Sequence, residues 1–109
     1  MVQEINNVEI KNIVNQIIQK FPAREIFLFG SYASGNYHEE SDIDLCIVTN
    51  QEGRKLDLLR QVRRIIAPVA NKPVDLVVYN ANDFNVRSSL STTFEFKIKN
   101  EGIKLYEKS

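Results

Sequence analysis

The sequence predicts a mixed α/β domain, an α+β arrangement in which helices pack on a small mixed β-sheet. Three observations carry this. Two stretches, residues 10–21 and 56–69, repeat apolar residues at helical spacing. Three short runs rich in Ile, Phe, Leu and Val read as buried strands. The two patterns alternate along the chain, which layers helix on sheet.

Taken in order, Asn6 and Asn7 are candidate caps for a first helix. Its apolar stripe is Ile10, Ile13, Val14, Ile17, Ile18 and Phe21; it ends near Lys20, with Pro22 as a stop. Residues 25–29 form a buried strand that Gly30 ends in a tight turn. Residues 31–41 are polar, with small side chains at Ala33 and Ser34 and then Gly35, and read as a short helix or turn plus a loop. Residues 42–48 are the second strand. Leu56, Leu59, Val62, Ile66 and Val69 make a second helical stripe, with Arg60, Arg63 and Arg64 toward its polar side and Pro68 at its end. Lys72 and Pro73 lead into a third strand, residues 74–79. Residues 81–99 read as mostly helical with a break around 88–91, Gly102 as a helix stop, and residues 103–106 as a last short strand.

A chain of 109 residues fits one domain, 1–109, with a modest core and little room for a separate acceptor-binding unit. Hydrophobic residues at 43% and charged residues at 26% match ordinary soluble proteins. Fourteen basic residues balance fourteen acidic ones, which offers no general attraction to nucleic acid or anionic lipid. A nucleic-acid partner is therefore not expected. The single cysteine, Cys46, excludes an intrachain disulfide and a cysteine-rich zinc site. Residues 1–11 contain no apolar run resembling a signal peptide, and nothing approaches the roughly 20 apolar residues of a membrane span. A cytoplasmic setting is expected.

The chemistry concentrates between Gly30 and Asp44. A strand ends in Gly30-Ser31, ten residues follow, and Asp42-Ile43-Asp44 opens the next strand. Residues two apart on a strand point to one side, so Asp42 and Asp44 project together with Cα atoms about 6.6 Å apart. Two carboxylates so close repel unless a proton or cation lies between them. Hard divalent cations such as Mg²⁺ take oxygen ligands of this kind. Asp75 sits among Val74, Leu76, Val77 and Val78, where an unpartnered acid is costly. If its strand pairs in suitable register, three carboxylates share one side, and two cations about 3.5–4 Å apart could clamp a phosphoryl displacement. Glycine at residue 30 lets a ligand approach the backbone, and Ser31 stands where a helix start offers N–H groups to phosphate. Alone, an Asp-x-Asp pair is more often a turn cap or a solvated edge. The combination with the Gly-Ser turn and a third Asp on an apolar strand is what points to a site.

These residues resemble the signature of the DNA polymerase beta-like nucleotidyltransferase superfamily. The run from Leu28 through Gly30, Ser31 and Tyr32 to Gly35, with Ser41-Asp42-Ile43-Asp44-Leu45, is similar to the minimal nucleotidyltransferases, small prokaryotic proteins often paired with a HEPN-domain partner. The resemblance runs over nearly the whole chain, to the Asn100-Glu101-Gly102 to Tyr106 ending. It implies that Gly30 and Ser31 hold the triphosphate of ATP. It implies that Asp42, Asp44 and Asp75 are the catalytic, metal-holding residues for Mg²⁺ (two ions) or Mn²⁺, and that Asp75 helps deprotonate the acceptor. The implied reaction is attack of a hydroxyl on the α-phosphorus with loss of pyrophosphate. The implied acceptor is a tyrosine of a HEPN toxin, which makes the chain an antitoxin. Where relatives often carry Arg, this chain has Ser34, which removes a phosphate-facing charge. That departure motivates a second expectation: a non-catalytic or weakly nucleotide-binding antitoxin subunit that acts by complex formation.

Other residues read more plainly. His38 is a solvated loop histidine. Cys46 shares the aspartate side if alternation continues, yet a small packing role is the simpler reading. Arg60, Arg63 and Arg64 read as a solvated helix face, and Phe84, Phe94 and Phe96 as packing residues, one or two of them open to a partner.

Overall fold

A computed structural model describes residues 7–108. The first helix, α1 (Val8–Lys20), begins where the Asn7 side chain accepts from the Ile10 N–H at 3.0 Å. The other candidate cap, Asn6, lies outside the described residues. There follow β1 (Ala23–Phe29), a single turn of helix α2 (Ser31–Ser34), β2 (Ile43–Thr49), α3 (Lys55–Ile66), β3 (Val74–Asn80), α4 (Ala81–Ser88), α5 (Phe94–Glu101) and β4 (Ile103–Glu107).

The strands form one four-stranded sheet in the order β3-β2-β1-β4. β1 runs antiparallel to both β2 and β4, whereas β2 and β3 are parallel, joined through α3. Strand alternation sorts the side chains onto two faces. Ile26, Leu28, Ile43, Leu45, Ile47, Leu76 and Val78 enter one core with Ile10, Ile13 and Ile17 of α1 and Leu58, Val62 and Ile66 of α3. Phe27, Cys46, Val48 and Tyr79 point the other way, under Phe84 of α4 and Ile98 of α5. Each fully buried aliphatic or aromatic side chain contributes about 1.5–3 kcal/mol relative to exposure. Among the described residues no helix is long and apolar enough to cross a membrane.

Two expectations need correction in detail. The α3 stripe is rotated from the expected one: Leu58 is buried and Leu56 is 55% exposed. Val62 and Ile66 belong to both possible stripes, and docking against α1 selects the one containing Leu58. β2 begins at Ile43, one residue after Asp42, because its ladder starts where the Ile43 N–H donates to the Pro73 carbonyl at 3.1 Å. Gly102 caps α5 and stops it as expected, without a left-handed turn, at φ −77°. It is needed there because a Cβ would press on the Ile98 carbonyl and come within 2.9 Å of the Leu28 carbonyl of β1. The helical segment after β3 does break, as expected, between α4 and α5.

Candidate active site

The parallel register of β2 and β3 sets Asp44 directly beside Asp75. Their neighbours Leu45 and Leu76 enter the α1/α3 core, so both carboxyls lie on the opposite face, at the end that α4 and α5 leave uncovered. Asp44 is half-buried; Asp75 and Asp42 are exposed. The neighbouring Asp75 side chain favours the protonated form of Asp44, because two carboxyl groups can share a hydrogen bond only when one of them carries a proton. The Asp44 carboxyl is pushed from 3.8 to about 6, first by burial, then by the hydrogen bond and charge of Asp75, and last by the charge of Asp42. The structure thus brings Asp75 and Asp42 each within electrostatic reach of Asp44.

Gly30 closes the site from the β1 side. It adopts φ +71° and ψ −150°, a conformation kept almost entirely to glycine. A Cβ at this position would overlap Oδ2 of Asp44, so the bare backbone is what lets that carboxylate lie across the turn. Ala33 and Ser34 N–H groups both donate to the Gly30 carbonyl at 3.1 Å. Among the described residues, the N–H groups of Ser31 and Tyr32 find no backbone acceptor in this turn. Ser34 is exposed and its hydroxyl donates to the Ser31 carbonyl at 3.2 Å.

Among the described residues no lysine or arginine forms an ion pair with Asp42, Asp44 or Asp75. Nor, among them, are three His, Cys, Asp or Glu side chains already drawn together as a ready metal-ligand cluster. The donor chemistry nevertheless fits a hard cation: three carboxylates, one with its charged form disfavoured by burial and by the other two, and with no cation paired to it among the described residues.

The sequence did not disclose what flanks the carboxylates. Phe29 is opposite Asp44 in the β1–β2 ladder, and Phe94 meets it edge-on with ring centroids 5.4 Å apart. Beside Gly30 lies a cavity of about 560 Å³, walled by Phe29, Ala33, Ser34, Phe94, Lys97 and Ile98. Only the aromatic run before Gly30 hinted at it. His38 is an exposed loop residue whose Nδ1 accepts from the Glu40 N–H at 3.2 Å. Cys46 packs fully buried between the two ends of the face, where burial pushes its thiol far up. Arg60, Arg63 and Arg64 are exposed, and Arg63 donates to the Val74 carbonyl at 3.3 Å.

Residues 10–105 match the family described as the nucleotidyltransferase domain. Two proteins of Methanocaldococcus jannaschii, each provisionally named a protein adenylyltransferase, are similar in sequence. One is 34% identical over 67% of this chain and 77% of its own length. The other is 56% identical over 36% of this chain, and that alignment spans only 41% of the relative. In structure, the chain is similar to one from a toxin–antitoxin complex with AMP-PNP, with a TM-score of 0.67, 22% identity and coverage of 94% of this chain and 76% of that one. It is also similar to a chain of a complex between a tri-AMPylated HEPN toxin of Shewanella oneidensis and its MNT antitoxin, with a TM-score of 0.54, 17% identity and coverage of 93% and 71%. A family match over nearly the whole length, on a chain whose Gly-Ser turn and three aspartates meet at one end of the sheet, shows that this chain belongs to the nucleotidyltransferase domain family.

Proposed function

We propose that this chain transfers AMP from ATP to a hydroxyl of a partner protein, a tyrosine of a HEPN toxin, and serves as that toxin's antitoxin. The observation that carries the chemistry is the side-by-side placement of Asp44 and Asp75, with Asp42 close by and, among the described residues, no cation paired with them. The AMPylated HEPN toxin in complex with a structural neighbour supports the choice of acceptor. The AMP-PNP complex of another supports an adenine nucleotide.

In this reading Asp42, Asp44 and Asp75 hold Mg²⁺, or Mn²⁺ in its place. When bound, the cations supply positive charge to the α-phosphate and to the leaving pyrophosphate oxygens. Gly30 and Ser31 orient the triphosphate through backbone N–H groups and the Ser31 hydroxyl. Asp75, exposed on its strand, accepts the proton of the incoming hydroxyl. The acceptor oxygen bonds to the α-phosphorus as the bond from that phosphorus to the bridging oxygen breaks, and pyrophosphate departs. The protein's main contribution is positioning and electrostatics, as in phosphoryl transfer generally.

The test is transfer of label from α-³²P-ATP with Mg²⁺, to the chain alone and to the chain mixed with a HEPN protein encoded beside it. Label on the partner's tyrosine, lost in Asp44→Asn, is the expected result. Absence of label together with a tight complex and no ATP binding would overturn it in favour of the antitoxin that acts by complex formation.

A further inference from the structure

Three segments must be held in register for the site to work: the Gly30-Ser31 turn, the loop that delivers Asp42, and the turn that delivers Asp75. They lie far apart in the sequence, and one side chain reaches all three. Lys72 precedes Asp75 by three residues. Its Nζ donates to the Tyr32 hydroxyl of α2 at 2.9 Å and to the Glu39 carbonyl, three residues before Asp42, at 2.6 Å. We infer that Lys72 is a positioning residue that ties the phosphate-binding turn and both carboxylate-bearing segments into one unit; this rests on the proposed function above.

The neighbouring contacts make the tie stiff. Tyr32 is buried, and its ring stacks on Tyr37 of the intervening loop at 4.5 Å between centroids and 11° between planes. The backbone on which Lys72 stands is itself fixed. One carboxylate oxygen of Glu9, in the first turn of α1, accepts the N–H groups of Asn71 at 2.7 Å and Lys72 at 3.0 Å. The Pro73 carbonyl then receives the Ile43 N–H at 3.1 Å, between the two aspartates of β2's start. An ammonium suits the junction because it offers three donors and no acceptor, and here meets a hydroxyl and a carbonyl. Without it, among the described residues, the loop from Gly35 to Asp42 keeps only short-range hydrogen bonds such as that of the His38 N–H to the Ser41 hydroxyl.

The experiment compares Lys72→Met, Lys72→Arg and the unaltered full chain in two readouts. The first is amide hydrogen exchange, which needs no activity. Lys72→Met is expected to speed exchange across residues 36–42 by about tenfold or more while the core strands stay protected, and Lys72→Arg to restore most of the protection. Unchanged exchange in Lys72→Met overturns the inference whether or not the chain is an enzyme. The second is steady-state transfer from ATP. A displacement of about 1 Å costs roughly 10²-fold in rate, so Lys72→Met should lower kcat by about that factor, shift the KM for ATP by less than roughly threefold, and be rescued by Lys72→Arg. A raised KM with unchanged kcat would instead mark Lys72 as a phosphate contact and overturn the positioning role. An unaltered chain that transfers nothing would sink the proposed function while leaving the exchange result to decide the tie.

Discussion

Glu95 and Asp44 lie against the same face of one sheet, the first at its covered end and the second at its open end. Glu95 is 5% exposed, yet Tyr79 donates its hydroxyl to it at 2.6 Å and Arg87 donates from Nε at 3.0 Å. Burial pushes that carboxyl up, but the bonds from Tyr79 and Arg87 outweigh it and hold it below the ordinary glutamate value. Asp44 is less buried and stands among acids, and it is pushed up to about 6. Among the described residues the fold therefore gives one acid donors of its own and the other no cationic partner. Acids left this way in an open cleft are what functional sites look like electrostatically.

The comparison breaks most visibly at Asp44. Asp44→Asn should lower nucleotidyl transfer by about 10³-fold or more, roughly 4 kcal/mol of transition-state stabilisation, with no loss of melting temperature. Steady-state transfer and thermal unfolding on the same sample check both halves. Next comes Glu95→Ala, which strands the Tyr79 hydroxyl and Arg87 and should cost about 3 kcal/mol of stability. Denaturant unfolding measures it, and activity per folded molecule should hardly change. Gly30→Ala is expected to cost roughly 2 kcal/mol through its backbone conformation alone, and also to lower transfer by moving the Asp44 carboxylate. A loss of stability without a loss of activity would contradict the contact described here.

The smallest effect is in pH. Asp44 binds its proton more tightly folded than unfolded. It therefore contributes stability that is present below its ordinary value of 3.8 and lost as pH rises to about 6. Discounted for solvent screening, the loss is about 1 kcal/mol. Unfolding curves between pH 4 and 7 should show it in the unaltered chain but not in Asp44→Asn, and millimolar Mg²⁺ should reverse it.

Much of the site is legible in the sequence. The Gly30-Ser31 turn, the ten-residue spacing and the Asp42, Asp44 and Asp75 set are local signals, and the structure brings these residues to one end of the sheet. What was not legible depends on pairing across distance. The β2–β3 register that puts Asp75 beside Asp44 is set by packing, since spacing alone does not determine it. The same holds for the choice of Leu58 over Leu56 in α3, where two stripes share Val62 and Ile66. The bond from Lys72 to Tyr32 joins residues 40 positions apart, which no periodicity encodes. Gly102 is the helix stop it reads as, and the added constraint from the Leu28 carbonyl of β1 is visible only in the fold.

Among the described residues β3 is the outermost strand on its side of the sheet, paired only with β2, and Asp75 stands exposed near its start. The acid proposed to receive the acceptor's proton is therefore at a rim, not at the bottom of a well. A hydroxyl carried on a bulky, folded molecule can slide in sideways along that rim as easily as one on a metabolite. Nothing about the size of the visitor is screened by the rim itself. Discrimination has to come from how the visitor's wider surface seats against the domain, which is the economy one expects of a small catalyst whose selectivity is written into its docking.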